Sequence, residues 1–232
     1  MDPILAVRGG SQAPVRPGLV STIRTHFWFK CFGTIAFTAI FFAAYFHLLR
    51  HPAFPVRIIP TTWLDRLIPF EPFALAFYVS LWLYVSLPPM LMLTRRQIVE
   101  YGFWMGLLCL TGLAAFYFWP SAVPPASAEW GAAPGMSLLK GIDAAGNACP
   151  SLHVATAVYA AVQLQRDLPG AGFGRAASWL SAAWCVAIAY STMATKQHVA
   201  LDVLAGILLG AAFALASARV DLPQYRNGKG KT

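Results

Sequence analysis

Charge is scarce in this 232-residue sequence, where Asp, Glu, Lys and Arg together make up 11% of residues and only 9 are acidic. A soluble domain carries about a quarter charged residues, so a water-facing globular surface is excluded. Cysteine is sparse too. The four, Cys31, Cys109, Cys149 and Cys185, show no C-x-x-C spacing and mostly fall within apolar runs, so neither a disulfide framework nor a zinc site is indicated. No repeat and no low-complexity tract is present. The N-terminal stretch MDPILAVRGGSQAPVRP lacks an apolar core followed by a cleavage site, so the first apolar run reads as a retained anchor, not a signal peptide.

Hydrophobic residues, in contrast, make up 58% of the chain. A bilayer core needs about 20 apolar residues per helix, and the windows 31–49, 72–94, 101–119 and 176–195 qualify without a formal charge. Two weaker windows join them: 151–165 is short, and 198–218 contains Asp202 near its start. The expectation is an all-α polytopic membrane protein, a bundle of six transmembrane helices. Residues 1–25 form an N-terminal cytoplasmic segment, 26–218 the membrane domain and 219–232 a basic cytoplasmic tail. Pro88 and Pro89 are expected to kink or end the second span, and Gly206 and Gly210 form a small-xxx-small pair suited to close helix packing.

With the N-terminus inside, the cytoplasmic pieces hold twelve of the 17 Lys and Arg residues. The outer pieces hold Arg50, Arg57, Arg66, Lys140 and Lys196. That imbalance predicts both termini in the cytoplasm of a plasma (inner) membrane protein. The net charge of +8 is thereby a topology signal, and a nucleic-acid partner is not expected. The longest connection, residues 120–150, lies outside, where Trp130 and the apolar residues 136–139 either rest in the interface or belong to a plain loop.

Polar groups collect at two places. The stretch NACPSLHV covers residues 147–154 and STMATKQHVALD covers 191–202. In the predicted topology Ser151 and His153 start the fourth span, while His198 and Asp202 start the sixth. All four then lie at one depth on the outer side. His198 and Asp202 are four residues apart, so on a helix they share a face. A carboxylate there can fix one imidazole tautomer while the other nitrogen attacks an electrophile; a satisfied helix pair would show the same spacing. Ser151 after Pro150, taken alone, reads as an N-cap, and the same geometry also offers an anion site at a helix N-terminus. His153 could donate a proton beside such an anion.

CPSLH (149–153) and STMATKQHVALD (191–202) resemble the second and third signatures of the type 2 phosphatidic acid phosphatase superfamily. These are integral membrane lipid phosphatases related to the vanadium haloperoxidases. The second signature is usually P-S-G-H, and Leu152 replaces its glycine. The third, S-R-x5-H-x3-D, is matched at Ser191, His198 and Asp202, with Thr192 where arginine is usual. PSLH together with TKQH is closer to the branch that includes inositol phosphorylceramide synthases. The first signature, K-x6-R-P, is not present as written. Lys140 is the only basic residue of the long outer loop, and Asn147-Ala148 stands where Arg-Pro would follow it.

The resemblance implies a metal-independent phosphotransfer with no cofactor. His198 would be the nucleophile that forms a phosphohistidine, Asp202 its orienting carboxylate and His153 the acid. Ser151, Ser191, Lys196 and Lys140 would bind the phosphoryl oxygens. The implied partners are a lipid phosphate and the surrounding membrane lipids. A phosphatase would pass the group to water, whereas a synthase-like transferase would pass a phosphorylated headgroup to a lipid alcohol. A transporter or non-catalytic scaffold would instead bury polar residues along several spans, and here the spans outside these two segments are nearly free of charge.

Overall fold

Thr94 shows how local chemistry sets the helix boundaries. Its Oγ1 accepts from the Gln97 N–H at 3.2 Å, while the Gln97 side chain accepts from the Thr94 N–H at 3.1 Å. This reciprocal capping box starts a helix at Arg95, six residues before the apolar window opens. In the computed structural model, which describes residues 18–125 and 146–227, the helices are α1 (Leu19–Arg24), α2 (Phe27–Arg50), α3 (Trp63–Leu67), α4 (Leu75–Val79), α5 (Leu81–Leu91), α6 (Arg95–Phe118), α7 (Leu152–Gly170), α8 (Arg175–Ala194) and α9 (Ala200–Asn227). A 3-10 turn, Pro72–Ala74, leads into α4. Lys140, Trp130 and residues 136–139 lie outside the described residues.

Among the described residues the fold is all-α except for two two-residue strands, β1 (Arg57–Ile58) and β2 (Ser121–Ala122), which pair in parallel. Ala122 also bridges Gly146. Two hydrogen bonds then hold the segment that enters α7: Ala148 N–H to the Ser121 carbonyl at 3.1 Å, and Cys149 N–H to Ser121 Oγ at 2.9 Å. Pairing this short has no periodic signal in sequence.

Among the described residues, four segments are long and apolar enough to cross a membrane: Phe27–Arg50, Pro72–Leu91, Arg95–Phe118 and Ala200–Val220. They mark an integral membrane protein. The helices α7 and α8, of 19 and 20 residues, fall outside that set. α7 is the central helix, packed against α5, α6, α8 and α9, and it faces protein on most sides. Its buried face runs through Val154, Ala155, Ala157, Tyr159, Ala160 and Leu164. Small residues there let α9 come close: a Cβ at Gly206 would collide with the Ser151 carbonyl oxygen, and one at Gly210 with that of Ala155.

Pro88 and Pro89 do not break the second apolar segment. Both are buried within α5. Pro89 lacks the N–H that would serve the Val85 carbonyl, and the Tyr101 hydroxyl donates to that carbonyl instead at 2.9 Å. The interruption comes earlier, at Ser80, whose Oγ donates to the Phe77 carbonyl at 2.7 Å and accepts from Trp184 Nε1 at 3.0 Å. The large apolar side chains on the outside of α2, α8 and α9, among them Phe32, Ile40, Trp179, Leu180 and Leu208, are exposed. In lipid such a surface is solvated, and the close packing falls to the small residues inside.

Candidate active site

Helix α8 ends in a Schellman turn. The Lys196 N–H donates to the Met193 carbonyl and the Gln197 N–H to the Thr192 carbonyl, both at 3.0 Å. Lys196 itself sits at φ 57°, the left-handed position where glycine or asparagine is usual. The turn delivers His198 just ahead of α9, which begins at Ala200. His198 therefore precedes the helix that carries Asp202, instead of sharing it as expected. The pair still forms, with His198 Nδ1 at 2.9 Å from Asp202 Oδ2. A carboxylate oxygen accepts, so Nδ1 carries the proton and Nε2 the lone pair. Asp202 is fully buried, and its Oδ1 has no hydrogen-bond partner among the described residues.

The start of α9 is held by a residue far away in sequence. Asp65 Oδ1 accepts from the Ala200 N–H at 2.7 Å, while its Oδ2 accepts from the Thr62 N–H at 2.6 Å and the Thr62 hydroxyl at 2.8 Å. The Glu71 N–H donates to the Ala194 carbonyl at 3.0 Å. The 62–71 loop thus clamps the turn that presents His198.

Across from it, α7 begins with Ser151 as N-cap, its Oγ accepting from the Val154 N–H at 3.3 Å. The Ser151 N–H donates to the Asp202 carbonyl at 3.0 Å, which ties the two motifs together. His153 follows within the first turn. Its Nε2 donates to the Tyr78 carbonyl at 3.0 Å, and its ring stacks on Tyr78 with centroids 4.0 Å apart and planes 18° from parallel. Nδ1 is then the nitrogen left to exchange a proton with a substrate.

His153 and His198 line one cavity of about 1060 Å³, together with Asn147 and Tyr78. Among the described residues, the expected site residues Ser151, Ser191, Lys196 and Asp202 lie off its wall. Ser191, Thr192 and Ser151 are fully buried. The hydroxyls of Ser191 and Thr192 donate back into α8, to the carbonyls of Ile188 at 2.6 Å and Ala189 at 2.8 Å. Lys196 Nζ donates to the carbonyls of Asp65, at 3.3 Å, and Ile68. Burial pulls this ammonium below its ordinary pKa, with the Asp65 carboxylate acting the other way. Lys196 thus anchors the 62–71 loop. Tyr78, Asp65 and Asn147 are contributions that sequence reasoning missed; a backbone carbonyl acceptor leaves no residue-type signal at all.

This arrangement can hold an imidazole in one tautomer beside a second imidazole, on the wall of an apolar cavity. Among the described residues no three His, Cys, Asp or Glu side chains gather as a metal-ligand group.

Residues 97–226 match the family model of the PAP2 superfamily, enzymes that act on phosphate esters, in general without a metal and through a histidine nucleophile. No curated protein and no solved structure matches the chain. The family match spans more than half of the sequence and takes in both histidines, Asp202 and the helices that present them, and the chain belongs to the PAP2 superfamily.

Proposed function

We propose that the protein is a membrane lipid phosphatase that cleaves a phosphate monoester or pyrophosphate through a phosphohistidine at His198. The observation that carries this reading is the joint position of His153 and the Asp202-paired His198 on one apolar cavity. His198 Nε2 attacks phosphorus and the ester P–O bond breaks. The leaving oxygen takes a proton from Nδ1 of a protonated His153. Asp202 accepts the Nδ1–H of His198 throughout and stabilises the cation that forms on that ring. Water then attacks phosphorus, gives a proton to His153 and releases phosphate as the P–N bond breaks.

Charge on the phosphoryl oxygens has to be met by preorganised donors. The first-turn N–H groups of α7, with Ser151 at its cap, supply such donors at the positive end of a helix dipole. Lys140 is proposed to add to this cradle, as is Lys196 through the N–H beyond its two carbonyl contacts, and Ser191 supports the turn behind it. Six membrane-crossing helices, α7 and α8 included, with both histidines on the outer face, complete the reading. Two features support that orientation: the Lys and Arg balance and the antiparallel run of α8 between α7 and α9, which brings the starts of α7 and α9 to one side. Water is the preferred acceptor over a lipid alcohol, because little of the chain lies outside the helices to hold a second substrate.

The test is incubation of purified protein, with chelator, against a panel of lipid monophosphates and pyrophosphates, reading both free phosphate and new phospholipid. Free phosphate without a new phospholipid is expected. A new phospholipid with little free phosphate would replace water by a lipid alcohol, and no product from any ester would overturn the reading.

A further inference from the structure

The cavity does not stop at the histidines. Along α2 its wall runs from Tyr45, at the histidine end, down to Lys30. That separation of fifteen residues, at about 1.5 Å per residue, is about 22 Å. Lys30 lines the far end. Lys30 is buried, and its Nζ donates to the carbonyls of Thr22 and Met90, each at 3.0 Å, so one ammonium joins the ends of α1, α2 and α5. A buried cation in an apolar helix is costly, and here two backbone carbonyls hold it in place. Lys30 is also the only residue of α2 that is buried. Other residues of that helix, such as Phe37 and Phe41, line the cavity.

Two glycines set the bore. Gly33, one turn from Lys30, and Gly102 on the facing α6 both line the cavity, and a Cβ at either would meet nothing within 4 Å. Between these glycines and the histidines the wall is apolar and aromatic, with Phe37, Phe41, Val85 and Met105. One bilayer leaflet is about 15 Å deep in hydrocarbon, so a groove of this length runs past the midplane.

We propose that this groove holds the hydrocarbon chain of the phosphate ester, and that Lys30, with Gly33 and Gly102 beside it, sets the longest chain accepted. The inference rests on the phosphate-ester reading of the histidines. A groove continuous with both histidines places a chain's phosphate end at His198 and its tail toward Lys30. Its occupant is a chain longer than one leaflet, with no headgroup at the far end. Each methylene held in the groove contributes about a fourfold factor to kcat/KM, until the chain reaches Lys30.

The experiment uses the full chain in detergent micelles with n-alkyl monophosphates of increasing length and an activated aryl phosphate that has no tail. Wild type should gain kcat/KM with length and then level off. Gly33→Phe adds a ring at a wall position where an added Cβ meets nothing within 4 Å, so its plateau should come at a shorter chain. Its preference for the longest over the shortest ester should fall by about 10-fold or more, with aryl phosphate turnover unchanged. Lys30→Ala should move the plateau to longer chains. A plateau unmoved in Gly33→Phe, or flat dependence on length in a wild type that hydrolyses all esters, would overturn the groove while leaving the phosphatase intact. Failure of wild type on every ester, the aryl phosphate included, would remove both.

Discussion

A proton on Nδ1 distinguishes His198 from His153. His198 gives that proton to Asp202 and presents Nε2; His153 commits Nε2 to the Tyr78 carbonyl and presents Nδ1. Two imidazoles are thereby set to different tasks by their acceptors. Replacing His198 by Ala should abolish turnover of every ester. Replacing His153 should cost most with a poor alkoxide leaving group and least with an activated aryl phosphate. Rates of both variants across a series of leaving-group acidities check this, and parallel slopes would dissolve the assignment. Lys196 poses a sharper question. If its ammonium anchors the 62–71 loop, as its contacts with Asp65 and Ile68 show, Lys196→Ala should lower thermal stability and activity together. Loss of a phosphate donor alone would cost about 10²- to 10³-fold in rate with the melting temperature unmoved.

At the scale of elements, the seam between α7 and α9 positions the chemistry. Gly206 lies against the Ser151 carbonyl, and the Ser151 N–H reaches the Asp202 backbone carbonyl, so the cap of the helix that carries His153 is joined to the residue that pairs with His198. Gly206→Ala forces these backbones apart and should cost about 1–3 kcal/mol, together with most of the activity. Gly170→Ala, with nothing within 4 Å of the added Cβ, should change neither. Thermal unfolding and turnover of the two variants provide the comparison. Much of this scale was legible in the sequence. Apolar runs without charge gave the helices, and the Gly206/Gly210 spacing gave the close seam. The boundaries moved where capping chemistry outweighed hydropathy: α6 begins at the Thr94–Gln97 box, and α9 begins at Ala200 because Asp65 caps it from 135 residues away. The His198–Asp202 pair was legible from its spacing alone. The clamp by Asp65, the stack on Tyr78 and the anchoring of Lys30 on the Met90 carbonyl were not, because each depends on a contact between distant segments.

For the whole molecule, the bundle sets both histidines on a long apolar cavity, and the charge balance predicts that this end faces outward. Cysteines placed at residues 52 and 172, on opposite sides of the expected topology, should separate in intact cells once the native cysteines are removed. An impermeant thiol reagent should reach the first and not the second; the reverse pattern would invert the protein. Central to everything above is a covalent bond between phosphorus and one histidine. Rapid quenching of the protein with a lipid phosphate radiolabelled at phosphorus, followed by peptide mapping, tests it most directly. The account predicts an acid-labile, base-stable label on His198, lost in His198→Ala and accumulating when His153 is replaced and the substrate carries an activated leaving group. Label on another residue, or steady turnover by His198→Ala, would contradict it.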